Sequence, residues 1–123
     1  MRRRRVIAVA AAVAGVSTVL VTASGVGAAN NVTAPVKVTV TMTDFKFRLS
    51  KASVPRNTPI VFTVINRGPS PHDFALPGKK TPVKPSGTQS TLRVTFSKVG
   101  KVRYVCTVPR HASFGMIGNL VVK

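Results

Sequence analysis

From residue 36 to the end of the chain the apolar residues recur at every second position in short runs, and no stretch carries a helical stripe of useful length. Period-two alternation puts apolar side chains on one face of an extended segment, the pattern of a strand half-buried against a core. Residues 36–42 show it in Val36, Val38, Val40 and Met42, and residues 44–50 repeat it in Phe45, Phe47 and Leu49. Leu92, Val94 and Phe96 share a face within 91–96, as do Val102, Tyr104 and Cys106 within 101–106. Residues 60–65 form a continuous apolar strand, 72–76 a short extended piece, and 118–123 a closing strand. Pro, Gly, Asn and Ser gather between these runs at 54–59, 66–71, 77–90 and 97–100, where turn chemistry is required. About seven short strands with frequent turns predict an all-β chain, a two-sheet antiparallel sandwich. Valine and threonine, abundant here, favour that state over helix.

The N-terminus stands apart from this pattern. Arg2, Arg3, Arg4 and Arg5 precede a run from Val6 to Val26 without one charge, and small residues follow at Gly27, Ala28 and Ala29. A basic start, an apolar middle and a small-residue end predict a secretory signal peptide over residues 1–28. The uncharged run is also close to the roughly 20 residues that span a bilayer, so an anchor through residues 6–26 is the other reading. Both deliver the domain outside the cytoplasm, to a periplasmic or extracellular location. Residues 29–35 read as a polar lead-in and 36–123 as the domain; at 123 residues there is room for one.

The net charge is +17, of which the four leading arginines supply four, leaving +13 on the rest. Asp44 and Asp73 are the only acids. A field this positive favours anionic partners: an acidic protein, a cell-wall polymer or a lipid surface. Export argues against nucleic acid.

Cys106 is the only cysteine. Exported chains normally pair their cysteines, and a lone thiol in an oxidising compartment needs protection, which a metal supplies. Cys106, His111 and Met116 form a Cys-x4-His-x4-Met run between two strands, and His72 lies far upstream behind a proline-rich loop. Taken singly, these residues would be a core thiol, a loop histidine and a core methionine. Taken together, two His, one Cys and one Met are the ligand set of a type 1 (blue) copper site, a trigonal His2Cys plane with a weak axial thioether. Thiolate and thioether suit Cu(I), and imidazole serves both redox states.

Residues 61–66 followed by Pro71-His72-Asp73-Phe74 resemble the first-histidine segment of plastocyanin- and azurin-like cupredoxins. Residues 95–106 resemble the segment leading to the ligand cysteine, and the Cys-His-Met loop with 118–122 completes the likeness across nearly the whole domain. The resemblance implies a Greek-key β-sandwich, one copper ion held by His72, Cys106, His111 and Met116, and one-electron transfer, not enzymatic catalysis. It further implies that Asp73, Pro109 and Arg110 stand beside the ligands. The position of Asp73 is typically Asn in the family, where it ties the ligand loops together. Its backbone N–H is expected to serve the Cys106 sulfur. Pro71, Leu76, Ala112 and Phe114 are expected to build an apolar patch around His111 where a redox partner docks. That partner would be an acidic one, such as a cytochrome or a membrane oxidoreductase, meeting a monomeric carrier.

Other readings make different demands. A copper carrier or chaperone would hold the metal without redox turnover. Zinc accepts His and Cys but rarely Met. A Cys–His hydrolase needs an accessible thiolate and a third group orienting the base, and no such group is evident in the sequence. A basic adhesion module would ignore copper.

Overall fold

The structure, a computed structural model, describes residues 10–19, 25, 27 and 32–123. The chain divides into two units, Met1–Asn30 and Asn31–Lys123. In the first, residues 10–19 are exposed and carry neither helix nor strand; most of the expected export segment lies outside the described residues. Among the described residues no helix is long and apolar enough to cross a membrane.

The second unit is the expected Greek-key sandwich. Its strands are β1 (Val36–Thr43), β2 (Lys46–Leu49), β3 (Ser53–Val54), β4 (Pro59–Asn66), β5 (Ala75–Leu76), β6 (Lys79–Lys80), β7 (Gln89–Thr95), β8 (Gly100–Val105) and β9 (Ile117–Val122). One sheet has the order β2-β1-β4-β7 and the other β3-β9-β8-β5-β6. The pairings are antiparallel except β1 with β4 and β3 with β9, which run parallel. These two exceptions modify the wholly antiparallel expectation. Each joins strands separated by intervening elements, the long connection a parallel pair needs.

Alternation fixes which side chains face the other sheet. In β4, Ile60, Phe62, Val64 and Asn66 are buried while their neighbours are half-buried. In β1, Val38, Val40 and Met42 are buried, with Val38 opposite Phe62 and Val40 opposite Val64 in register. Leu120 and Val122 of β9, with Phe74 just ahead of β5, close the core from the other side. Complete burial of a side chain such as Phe62 stabilises by about 1.5–3 kcal/mol. Tyr104 lies over Gly118, where any side chain would collide with its ring.

The segment expected as one loop, residues 77–90, contains more order than its composition suggests. Gly78, at φ 77°, turns β5 tightly into β6, and Lys84 pairs with His72 as an isolated bridge. A two-residue strand is too short to show periodicity, which is why β6 leaves no trace in the sequence.

Candidate metal centre

The site sits at one end of the sandwich, where the chain leaves β4 and β8. The last residue of β4, Asn66, is completely buried, and its amide organises the loop that delivers His72. Asn66 Nδ2 donates to the carbonyls of Ser70 and Lys84, both at 2.8 Å, while its Oδ1 accepts from Gly68 N–H at 3.0 Å. The backbone of His72 is then clamped to Lys84 by a reciprocal pair, His72 N–H to Lys84 O at 3.2 Å and Lys84 N–H to His72 O at 2.7 Å.

Cys106 follows β8, and its N–H donates to the Met116 carbonyl at 3.1 Å, which closes the ligand loop at its base. Met116 N–H in turn donates to the His111 carbonyl at 3.1 Å. Between them the chain makes a single 3-10 turn, Ala112–Phe114, ended by Gly115 in the left-handed region at φ 106°. Arg110 also has positive φ, 70°, and its carbonyl accepts from Phe114 N–H and Ser113 Oγ.

These loops bring three donors to one point. His72 Nδ1 lies 3.0 Å from His111 Nδ1, and Cys106 Sγ lies 3.6 Å from His111 Nδ1 and 4.0 Å from His72 Nδ1. Met116 is completely buried beside them, its carbonyl bonded to Cys106. One ion bound roughly 2.0–2.3 Å from nitrogen and sulfur donors holds those donors about 3–4 Å apart, so the spacing fits a single metal. The tautomer of His72 strengthens the fit. Its Nε2 stands 2.8 Å from Asp44 Oδ1, so in the neutral ring the proton belongs on Nε2 and Nδ1 presents a lone pair. That lone pair faces the ring nitrogen of His111, an arrangement a cation between them satisfies.

Asp44 and Phe45 were not marked as site residues by the sequence pattern. They form the two-residue turn joining β1 to β2, Thr43 pairing with Lys46. Phe45 adopts φ 59°, a costly region for an aromatic residue. Its ring lies edge-on to His111 with centroids 5.0 Å apart and tilts against Phe114 at 4.9 Å. The turn sits this close because residue 68 is glycine: a Cβ there would meet Asp44 N at 2.9 Å and Asp44 Oδ1 at 3.0 Å. Asp44 also accepts from Ser70 Oγ at 3.0 Å and from Ser70 N–H at 3.3 Å. Partial burial alone would raise the pKa of this carboxyl; the bonds from His72 and Ser70 reverse that and hold it below its ordinary value.

The other acid is also at the site. Asp73, completely buried, accepts from Thr107 N–H at 2.6 Å through Oδ1 and from the Thr107 hydroxyl through Oδ2. It therefore ties the first-histidine segment to the Cys-His-Met loop. Burial pushes the Cys106 thiol up, partly offset by the backbone N–H groups of Asp73 and Val108, while the Asp73 carboxylate adds to the rise.

Pro71, Pro109 and Arg110 are exposed, His111 and Ala112 half-buried, and Phe114 is 58% exposed. Leu76 departs from the expected patch: it is buried in β5 as part of the core. Phe45 takes its place beside His111. The third orienting group that the sequence did not reveal also exists, since Asp44 bonds His72. A hydrolase still finds no footing, because Cys106 and His72 are 1% and 0% exposed, leaving a substrate no way to reach the thiol.

A two-layer sandwich carrying His72, Cys106, His111 and Met116 at one end defines a type 1 copper-like site, and copper is its cofactor. The chain belongs to the cupredoxin-like family: the model of the cupredoxin-like domain matches residues 8–122. No curated protein matches it in sequence. Solved structures similar to it include dithionite-reduced auracyanin from the photosynthetic bacterium Roseiflexus castenholzii, 17% identical with a TM-score of 0.61, covering 72% of this chain and 96% of that one. Rusticyanin from Thiobacillus ferrooxidans is 22% identical with a TM-score of 0.61, covering 72% and 77%. Auracyanin A, a "blue" copper protein from Chloroflexus aurantiacus, is 16% identical with a TM-score of 0.59, covering 73% and 100%. At these identities the likeness is one of fold.

Proposed function

We propose that this protein is an exported one-electron carrier, in which His72, Cys106, His111 and Met116 are the residues that would hold its copper. The observation that carries this reading is the convergence of Cys106 Sγ and the Nδ1 atoms of both histidines within 3.0–4.0 Å of one another. Copper, when bound, supplies the Cu(II)/Cu(I) couple.

The protein's part is to hold the donors still and to give the electron a way out. His72 is locked from both sides, by Asp44 at Nε2 and by Lys84 on its backbone. Cys106 and Met116 are joined at the loop base. A frame bonded this closely leaves little room for rearrangement between redox states. His111 is the ligand nearest solvent, flanked by Phe45 and Phe114, so its ring edge is the exit. Pro71, Ala112, Phe114 and Phe45 make the apolar contact for a redox partner, and Arg110 gives it a positive rim. Both acids of the chain are engaged at the metal centre, Asp73 buried and Asp44 only partly exposed, so the charged surface of the described domain is overwhelmingly basic. That favours an acidic partner, a cytochrome or a membrane oxidoreductase. Residues 1–28 direct export as a signal peptide or anchor, and 36–123 form the working domain.

The test is an absorption spectrum of the chain titrated with Cu(II), repeated with Cys106→Ser. An intense thiolate-to-copper band that vanishes in the variant is expected. A colourless protein that takes up Cu(I) but not Cu(II) would instead make it a copper carrier without redox turnover.

A further inference from the structure

We propose that Asp44 is a positioning residue that tunes the copper centre through His72, holding its imidazole in the Nδ1-ligating tautomer and favouring Cu(II) over Cu(I). The inference rests on the ligand set proposed above and adds a residue outside it.

The geometry carries three independent marks. First, Asp44 Oδ1 is 2.8 Å from His72 Nε2, the ring nitrogen facing away from the other donors. A carboxylate in that position fixes the proton on Nε2 and makes Nδ1 a stronger donor. Second, the carboxylate is itself held: Ser70 donates to it through both its hydroxyl and its N–H, and Gly68 leaves the space it occupies. Third, its turn keeps an unfavourable backbone conformation at Phe45, φ 59°, which places that ring against His111. The turn of the β1–β2 hairpin thus addresses both ligand histidines, one by charge and one by packing.

Charge decides the direction. In a domain of net charge +13, the only two acidic side chains are this one and Asp73. A negative charge one imidazole away from the metal stabilises the more positive ion. Removing the charge while keeping the hydrogen bond must therefore weaken Cu(II) binding more than Cu(I) binding, because the interaction scales with the charge of the ion. A residue that merely shaped the turn would change both affinities equally, or neither.

The experiment compares the full wild-type chain with Asp44→Asn and Asp44→Glu, measuring Cu(II) and Cu(I) affinities, the midpoint potential and the blue band. Asn retains an acceptor for His72 and Ser70 but carries no charge. The expected result is a blue Asp44→Asn protein whose Cu(II) affinity falls about 10-fold relative to Cu(I), equivalent to a midpoint raised by about 59 mV, with Asp44→Glu lying closer to wild type. A blue Asp44→Asn protein with an unchanged affinity ratio and midpoint would overturn the role of Asp44 and leave the ligand set standing. A wild-type chain that takes up no copper would sink the ligand set and this inference together. A readout needing neither variant nor metal is the nitrogen NMR of His72 in the metal-free wild type. A neutral ring with its proton on Nε2 is expected, and a proton on Nδ1 would refute the tautomer assignment.

Discussion

Asp73 reaches from the first-histidine segment to Thr107, accepting from its N–H at 2.6 Å and from its hydroxyl, and so couples two ligand segments that lie 34 residues apart. Hydrogen bonds to a charged group contribute about 1.5–3 kcal/mol each. Asp73→Ala is expected to lower the thermal midpoint of the metal-free protein, each 1 kcal/mol being worth roughly 4–8 °C in a domain of this size. It should also weaken copper binding about 10–100-fold, as loss of a partner behind the ligands typically does. Calorimetry and copper competition check both; Asp73→Asn, which keeps an acceptor for Thr107 N–H, should recover part of each loss.

Asn66 holds the other side of the site. Asn66→Ala would strip the Ser70 carbonyl of its side-chain donor, leave the Lys84 carbonyl with His72 N–H alone, and leave Gly68 N–H without its acceptor. An unsatisfied buried polar group costs about 1–3 kcal/mol, so a destabilisation of at least that size is expected in urea melts. The loop bearing His72 should loosen at the same time, and amide exchange at His72 and Lys84 should quicken. Unchanged exchange there would show that the loop holds itself.

The pH dependence of the metal-free protein follows from Cys106 and Tyr104, both pushed up by burial. An acid whose pKa is raised in the fold keeps its proton longer there than in the unfolded chain. The stability it contributes is complete below the unfolded pKa and is lost as pH rises toward the folded one. Neutralisation of lysines relieves repulsion at alkaline pH and acts the other way, so the informative quantity is a difference. Wild type should lose stability relative to Cys106→Ala as pH rises through the thiol range, measured by denaturant titration. Parallel profiles would show that the thiol is not held protonated by the fold.

Docking gives a kinetic prediction. Arg110 is exposed beside His111, at the rim of the proposed docking patch. Arg110→Glu should slow electron exchange with an acidic partner severalfold at low ionic strength, and the difference should shrink as salt screens it. Phe114→Ala should slow exchange at every salt concentration, because it removes apolar contact. Stopped-flow rates across a salt series separate the two effects.

Much of this was legible in the sequence for a simple reason. Strand alternation is a local signal, and the ligand set combines a rare residue type with a fixed spacing. Cys106, His111 and Met116 lie within one loop, so chain proximity alone brings them near one metal. Leu76 was misplaced because a two-residue strand is too short to show alternation, and both residues of β5 are buried where it lies between β8 and β6. Asp44 and Phe45 read as the start of an ordinary extended piece, since nothing within residues 44–50 reports that Gly68, 24 positions away, leaves room for their turn.

The sequence by itself determined the class of fold, the identity of the four donors and the overwhelming positive charge, because periodicity, donor chemistry and charge are properties of residues in order. Only the tertiary structure decided what surrounds the donors. It placed both carboxylates of a +13 domain at the metal centre, one behind His72 and one beside Cys106. Such contacts join residues 28 and 34 positions apart, and they exist only once two sheets have packed and their loops have met at one end.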